Sequence, residues 1–203
     1  MIKVIYIDEE VGWQSIAYSA LSENYDLYIP EELPQNISDL WDDIKECQIA
    51  ILDYRLNGNG VLAYTGDDVV RMIHEHNKHF PAIIITSFED NAIQECTEIQ
   101  LIRDKGMLNE GRERLFHMID SAVTIYDRKK SENEACIRKY QDKIASGEKL
   151  SSKEEADRFD AELYISELDL DSSMRGNLIT ANTISSLEEL LSMARIIVEK
   201  HRK

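Results

Sequence analysis

Four short apolar runs in this chain each end on a side chain that can do chemistry. Ile2 to Ile7 ends on Asp8, Glu9 and Glu10, and Ile49-Ala50-Ile51-Leu52 ends on Asp53. Ala82 to Ile85 ends on Thr86 and Ser87, and Ile99 to Asp104 ends on Lys105. Carboxylates crowded together call for a hard divalent cation, and Mg²⁺ needs only one or two of them because it keeps several waters. With such an ion beside it, Asp53 can attack phosphorus to give an acyl phosphate. The Lys105 ammonium then neutralises charge on the equatorial oxygens, and the Thr86 hydroxyl donates to one of them. The new charge and acceptor oxygens on Asp53 should draw Thr86 and its loop inward. A single strand-ending Asp is more often a turn or helix cap; the set of four points to chemistry.

These side chains share a site only if their strands run parallel. Continuous apolar runs of this length are the signature of strands buried on both faces, and open α/β sheets bind ligands at the carboxyl ends of such strands. The intervening stretches supply the crossovers. Val11 to Leu21 has Ile16, Ala17, Ala20 and Leu21 at helical spacing, and Asp26 to Ile29 reads as a short strand before Pro30. From Ser38, the residues Leu40, Trp41 and Ile44 predict a second helix. Thr65 or Asp67 caps a helix over Val69 to His76, and Asn91 to Cys96 makes a short one. Alternating strand and helix predicts an α/β fold with a parallel sheet covered on both faces. His74, His76 and His79 do not read as a metal site, because residues two apart on a helix point to different sides.

Composition narrows the function. Against 23 Lys and Arg stand 39 Asp and Glu, a net charge of −16, which repels nucleic acid over most of the surface. The acidity is concentrated in front: 9 basic and 23 acidic residues up to residue 120, and 14 and 16 beyond it. Cys47, Cys96 and Cys136 are too scattered for a disulfide frame or a zinc site, so reduced thiols are expected. The amino terminus lacks the pattern of a signal peptide and no apolar run reaches membrane-spanning length, so a cytoplasmic protein without membrane contact is expected.

The motifs resemble those of the receiver domain of two-component response regulators over residues 1 to about 125. Ile7-Asp8-Glu9 resembles the acidic pair after the first strand, Leu52-Asp53 the phosphoacceptor, Ile85-Thr86-Ser87 the switch hydroxyl, and Lys105 the lysine closing the fifth strand. The resemblance implies a five-stranded parallel, doubly wound, flavodoxin-like fold. It also implies an Asp53 phosphorylated by a histidine kinase or phosphotransfer protein, and Mg²⁺ held by Asp8, Glu9, Asp53 and the carbonyl of Arg55. Three features depart from the family. Gly106 follows the lysine where proline is usual, Ile102 stands where the coupling aromatic is usual, and the loop after Asp53 is long and lacks its proline.

Behind the fifth strand, Leu115, Phe116, Met118, Ile119, Ala122 and Ile125 predict a helix with an apolar face. Ser131-x-x-Glu134 then reads as a capping box opening a helix to Gly147, and Ser152-x-x-Glu155 opens another; one long arm and two packed helices both fit. The basic residues Arg128, Lys129, Lys130, Arg138, Lys139 and Lys143 read as a solvated helix face, since acids interleave them and no aromatic platform accompanies them. Ile165 to Leu170, Asn177-Leu178-Ile179 and Ile184 to Leu191 resemble the helical hairpin that begins the carboxyl-terminal domain of the RNA polymerase alpha chain. That resemblance implies a compact helical fold. The family's DNA-contacting arginine falls on Met174, one place from Arg175.

The expectation is therefore a receiver domain over 1–125 and a small all-α output or interaction module over 126–203. The chain reads as a response regulator and not as an enzyme, with Asp53, Thr86 and Lys105 as the reacting set. A downstream protein is the expected partner, and a homodimer stays open. The alternatives are a DNA-binding regulator, a phosphate-independent adaptor on the same fold, and a Mg²⁺-dependent phosphohydrolase.

Overall fold

The computed structural model describes residues 1–58, 60–87 and 102–168. Five parallel strands, β1 (Lys3–Ile7), β2 (Asp26–Tyr28), β3 (Ile49–Asp53), β4 (Ala82–Thr86) and β5 (Ile102–Asp104), form one sheet in the order β2-β1-β3-β4-β5. Parallel neighbours need crossovers, and α1 (Val11–Leu21), a 3₁₀ turn (Ile37–Leu40) running into α2 (Trp41–Ile44), and α3 (Gly66–His76) supply them. Two more helices follow, α4 (Arg112–Ala145) and α5 (Ser152–Ser166). Met1–Leu168 forms one compact unit.

The continuous apolar runs are explained by two buried faces. Ile5, Ile7, Ala50, Leu52, Ile84 and Ile102 pack on Leu40, Ile44 and the α3 residues Val69, Val70, Met72 and Ile73. The alternate residues Val4, Tyr6, Ile49, Ile51, Ile83 and Ile85 pack on Ala17, Ala20 and Leu21 of α1 and on Leu115, Ile119 and Val123 of α4. Each such aliphatic side chain contributes about 1.5–3 kcal/mol when fully buried, so the sheet core dominates the stability. Thr65 caps α3 through a capping box with Asp68.

Several expected boundaries move. Lys105 lies outside β5 and opens a short 3₁₀ helix, Lys105–Leu108. Gly106, the residue after the lysine, has an N–H and donates it to Asp104 Oδ1 at 2.5 Å, which fixes the turn after the strand. No helix starts at Ser131. The helix α4 runs unbroken for 34 residues and crosses the expected boundary at residue 125, because nothing between Arg112 and Ala145 is Gly or Pro. It is followed by Gly147 at φ +83°, a conformation that favours glycine. The capping box of α5 is Ser151 with Glu154, one residue earlier than expected. The segment Asn91 to Cys96, the start of the fifth apolar run, and the polymerase-like stretches from Asp169 onward lie outside the described residues.

Beyond Val123, α4 buries only Tyr140, which faces α5. The two helices are joined by Lys143–Glu154 at 2.7 Å and by Tyr140 Oη donating to Asp157 at 3.4 Å. The end of α5 returns to the loop before β4. There Glu167 accepts from Lys78 Nζ (2.5 Å) and meets His79 Nε2 (2.8 Å), while Tyr164 stacks on His79 with ring centroids 4.3 Å apart. The histidines expected not to share a metal have separate partners: His74 reaches the carbonyl of Phe80 and His76 that of Met72. In the basic stretch, Arg128 lies near Glu132 and Arg138 near Glu134, each at 3.9 Å.

Candidate functional site

Strand order reverses between β1 and β3, since β2 lies on one side of β1 and β4 beyond β3. In open α/β sheets the crevice at such a switch point is where ligands bind. Asp8 follows β1 directly and Asp53 is the last residue of β3, so both carboxylates stand at this crevice. Lys105 lies two strands away, and its long side chain brings the ammonium back to them. Its Nζ is 2.8 Å from Asp8 Oδ2 and 3.1 Å from Asp53 Oδ1, and all three side chains are buried. The indole of Trp13 flanks the ammonium, 5.0 Å from ring centroid to Nζ.

The two carboxylates are differently held. Asp8 Oδ2 accepts both Lys105 and the Tyr6 hydroxyl (2.6 Å), and Oδ1 accepts the backbone N–H of Glu10 (3.0 Å). Asp53 accepts the Lys105 ammonium and the backbone N–H of Arg55. Asp53 faces a cleft of about 310 Å³ with Glu9, Glu10, Arg55, Gly58, Ser87 and Lys105, whereas Asp8 is not among the residues lining it. A Cβ on Gly58 would lie 2.5 Å from Glu9 Oε1 and 3.7 Å from the Arg55 carbonyl oxygen, so those two oxygens approach the same glycine. Glu9, Glu10, Asp53 and the Arg55 carbonyl thus offer oxygen donors only, the kind a hard cation takes. Among the described residues no group of three His, Cys, Asp or Glu side chains is placed to hold a metal ion by itself. Mg²⁺, which retains waters and takes further oxygens from phosphate, does not require one.

Burial pushes the Asp53 carboxyl up to about 6 and the nearby Asp8 charge adds to the shift, with the Lys105 ammonium opposing both. Burial, with the Asp8 carboxylate next, pushes the Tyr6 phenol far above its usual range, so it is a donor at every working pH. An acid whose folded pKa is raised stabilises the fold only when protonated. Here that contribution is complete below the ordinary value of 3.8 and lost as pH rises through about 6. Asp53→Asn, which mimics the neutral acid, is therefore expected to stabilise the metal-free protein at pH 8 by about 1–3 kcal/mol. The gain should shrink through pH 6 and vanish near pH 4. Urea unfolding of both proteins across that range checks this, and a gain that does not vary with pH contradicts it.

No family model matches the chain, and no curated protein matches it in sequence. Among solved structures, NtrX from Brucella abortus is similar over 66% of this chain and 30% of its own length, at 15% identity and a TM-score of 0.50. A response regulator receiver domain protein from Clostridium thermocellum covers 63% of this chain with 98% of its own, at 19% identity and a TM-score of 0.47. The response regulator RcsB of Salmonella typhimurium covers 92% of this chain with 100% of its own, at 15% identity and a TM-score of 0.42. The chain carries a receiver fold. At these identities the likeness is one of fold.

Within this fold, three of the sequence-derived residues, Asp8, Asp53 and Lys105, meet at one point. Glu9 and Arg55 stand at the cleft wall. Thr86 is buried at the end of β4, next to Ile85, the register partner of Asp53. The hydroxyl residue lining the cleft is Ser87. The sequence names both hydroxyls and assigns the role to Thr86, although strand alternation holds a signal for its neighbour: Ser87 continues the parity of Ile83 and Ile85, which share the face of Ile49 and Ile51, and Asp53 continues that second series. Sequence reasoning misses Tyr6, which reads as one more apolar strand residue.

Proposed function

We propose that this chain is a response regulator of a two-component phosphorelay, phosphorylated on Asp53 and acting through contact with another protein. The observation that carries the reading is the Lys105 ammonium, buried and shared by Asp8 and Asp53 at the floor of an acidic cleft. A cation in that place neutralises charge on a phosphoryl group arriving at Asp53. Mg²⁺ is the ion the oxygen donors suit; of the expected set Asp8, Glu9, Asp53 and the Arg55 carbonyl, the last three belong to residues lining the cleft and would hold it, while Asp8, taken up by Lys105, Tyr6 and the Glu10 N–H, would anchor the lysine. When bound, it would supply further neutralisation of the phosphoryl oxygens.

In the step itself an Asp53 carboxylate oxygen forms a bond to phosphorus as the bond to the donor's leaving group breaks; an imidazole leaving group takes up a proton from water, whereas the carboxylate released from an acyl phosphate needs none. The donor is a phosphohistidine of a kinase or phosphotransfer protein, or a small acyl phosphate. Ser87 or Thr86 donates a hydroxyl hydrogen bond to the new phosphoryl oxygens. Ile102, where the family carries its coupling aromatic, is packed in the sheet core, which favours output through α4 over output through a rotating ring. No helix among the described residues is long and apolar enough to cross a membrane, in keeping with work in the cytoplasm.

Intact-mass measurement after treatment with acetyl phosphate and Mg²⁺ tests the proposal. One added phosphate on the wild type, none on Asp53→Asn, and none on the wild type in excess chelator are expected. An unmodified wild type would end it.

A further inference from the structure

Tyr6 is fully buried in the inner strand β1, among Val4, Ile5 and Ile7. An aliphatic residue or Phe would fill such a position without bringing in a hydroxyl, and a buried hydroxyl is costly unless it is hydrogen-bonded. The Tyr6 hydroxyl donates to Asp8 Oδ2 at 2.6 Å. Tyr6 and Asp8 are two apart along the chain and share a sheet face, so the ring leans along the strand to reach the carboxylate. That oxygen also receives the Lys105 ammonium at 2.8 Å, and the same ammonium stands 3.1 Å from Asp53 Oδ1. One hydroxyl is thus set against the anchor of the cation that faces the acceptor.

We propose that Tyr6 is a positioning residue of the Asp53 site, acting through Asp8. Its hydroxyl takes up part of the hydrogen-bonding demand of Asp8 Oδ2 and so sets how far the Lys105 ammonium is drawn towards Asp8 and away from Asp53. The inference rests on the phosphoacceptor reading of Asp53. Without the hydroxyl, Asp8 Oδ2 keeps only the ammonium, pulls it closer, and leaves less positive charge where the phosphoryl group arrives. The ring itself only fills the core, so Tyr6→Phe preserves the packing and removes the donor.

The test measures the full chain in two ways. The initial rate of Asp53 phosphorylation by acetyl phosphate in saturating Mg²⁺ is expected to fall about tenfold in Tyr6→Phe, the effect of losing part of one charge-assisted hydrogen bond. Independently of any phosphate, the emission of Trp13, whose ring lies 5.0 Å from Lys105 Nζ, is expected to shift when Tyr6→Phe moves the ammonium. Both measurements are repeated in an Asp8→Asn background, where the carboxylate that links Tyr6 to the lysine is gone. Loss of both effects there supports the proposal, because a purely structural role of the ring or hydroxyl would persist. Equal rates and unchanged emission in Tyr6→Phe, or effects of the same size in both backgrounds, overturn it. A wild type that takes no phosphate would instead remove the reading of Asp53, and the emission cycle alone would then decide whether Tyr6 positions Lys105.

Discussion

Lys105→Met is expected to destabilise the protein by about 3–5 kcal/mol near pH 8, since removing one partner of a buried ionic cluster strands the others. Two buried carboxylates, Asp8 and Asp53, would face each other without the ammonium that joins them. Tyr6 and the Glu10 N–H still satisfy hydrogen bonds to Asp8, but neither adds positive charge. The loss should be smaller at lower pH. Asp53 already titrates near 6 with the ammonium opposing its protonation, so without that opposition it takes up its proton at higher pH still. Its neutral form then relieves the repulsion. Adding Asp53→Asn to Lys105→Met should restore much of the loss at pH 8, and millimolar Mg²⁺ should restore part of it. Urea unfolding at pH 5.5 and 8 reads all of these, and a loss below about 1 kcal/mol at both pH values would contradict the cluster's role.

Gly66→Ala carries the second large effect. In an unobstructed helix this change gains up to about 1 kcal/mol. Here a Cβ would stand 2.3 Å from the Asp53 carbonyl oxygen, 3.1 Å from the Asp53 carbonyl carbon and 3.2 Å from the Tyr54 Cα, all of them backbone. The Gly66 N–H also donates to the Tyr54 carbonyl at 2.9 Å, so the first turn of α3 is clamped to the end of β3. Relief requires the strand end or the helix to shift, and overpacking of this kind costs about 1–3 kcal/mol. Because the atoms that must move belong to Asp53 and its neighbour, phosphorylation should slow as well. Gly12→Ala is the control, since nothing lies within 4 Å of its Cβ; it should leave stability unchanged or raise it. If Gly66→Ala is as stable as the wild type, the close approach of α3 to β3 is wrong.

The strands are legible because parallel strands covered on both faces are written as unbroken apolar runs, and their endings name Asp8, Asp53 and Lys105 before any geometry. What the sequence conceals depends on burial and on context. Thr86 is buried at the end of β4 while its neighbour Ser87 lines the cleft, a division that burial and alternation along the strand decide and that the adjacent pair of hydroxyls in the sequence does not show. Ser131 and Glu134 have the spacing of a capping box yet lie inside α4, since such a motif starts a helix only where the preceding chain has stopped one. Ser151 with Glu154, by contrast, follows Gly147 and does begin α5. Tyr6 looks like core because most of its side chain is hydrocarbon ring, and only its distance to Asp8 reveals the polar end.

The unbroken course of α4 has a mechanical corollary. At 34 residues it is a rod of about 50 Å whose first turns lie on the sheet and whose far end, among the described residues, carries α5. A tilt of about 5° where it rests on the sheet would swing its tip by roughly 4 Å, given that length. The Glu167 tie to Lys78 and His79 makes α5 a strut returning to the base of the rod. Lever and strut together form a triangle, so a displacement at the foot of α4 would reach the tip as a rotation of the whole bracket, with little bending along the way.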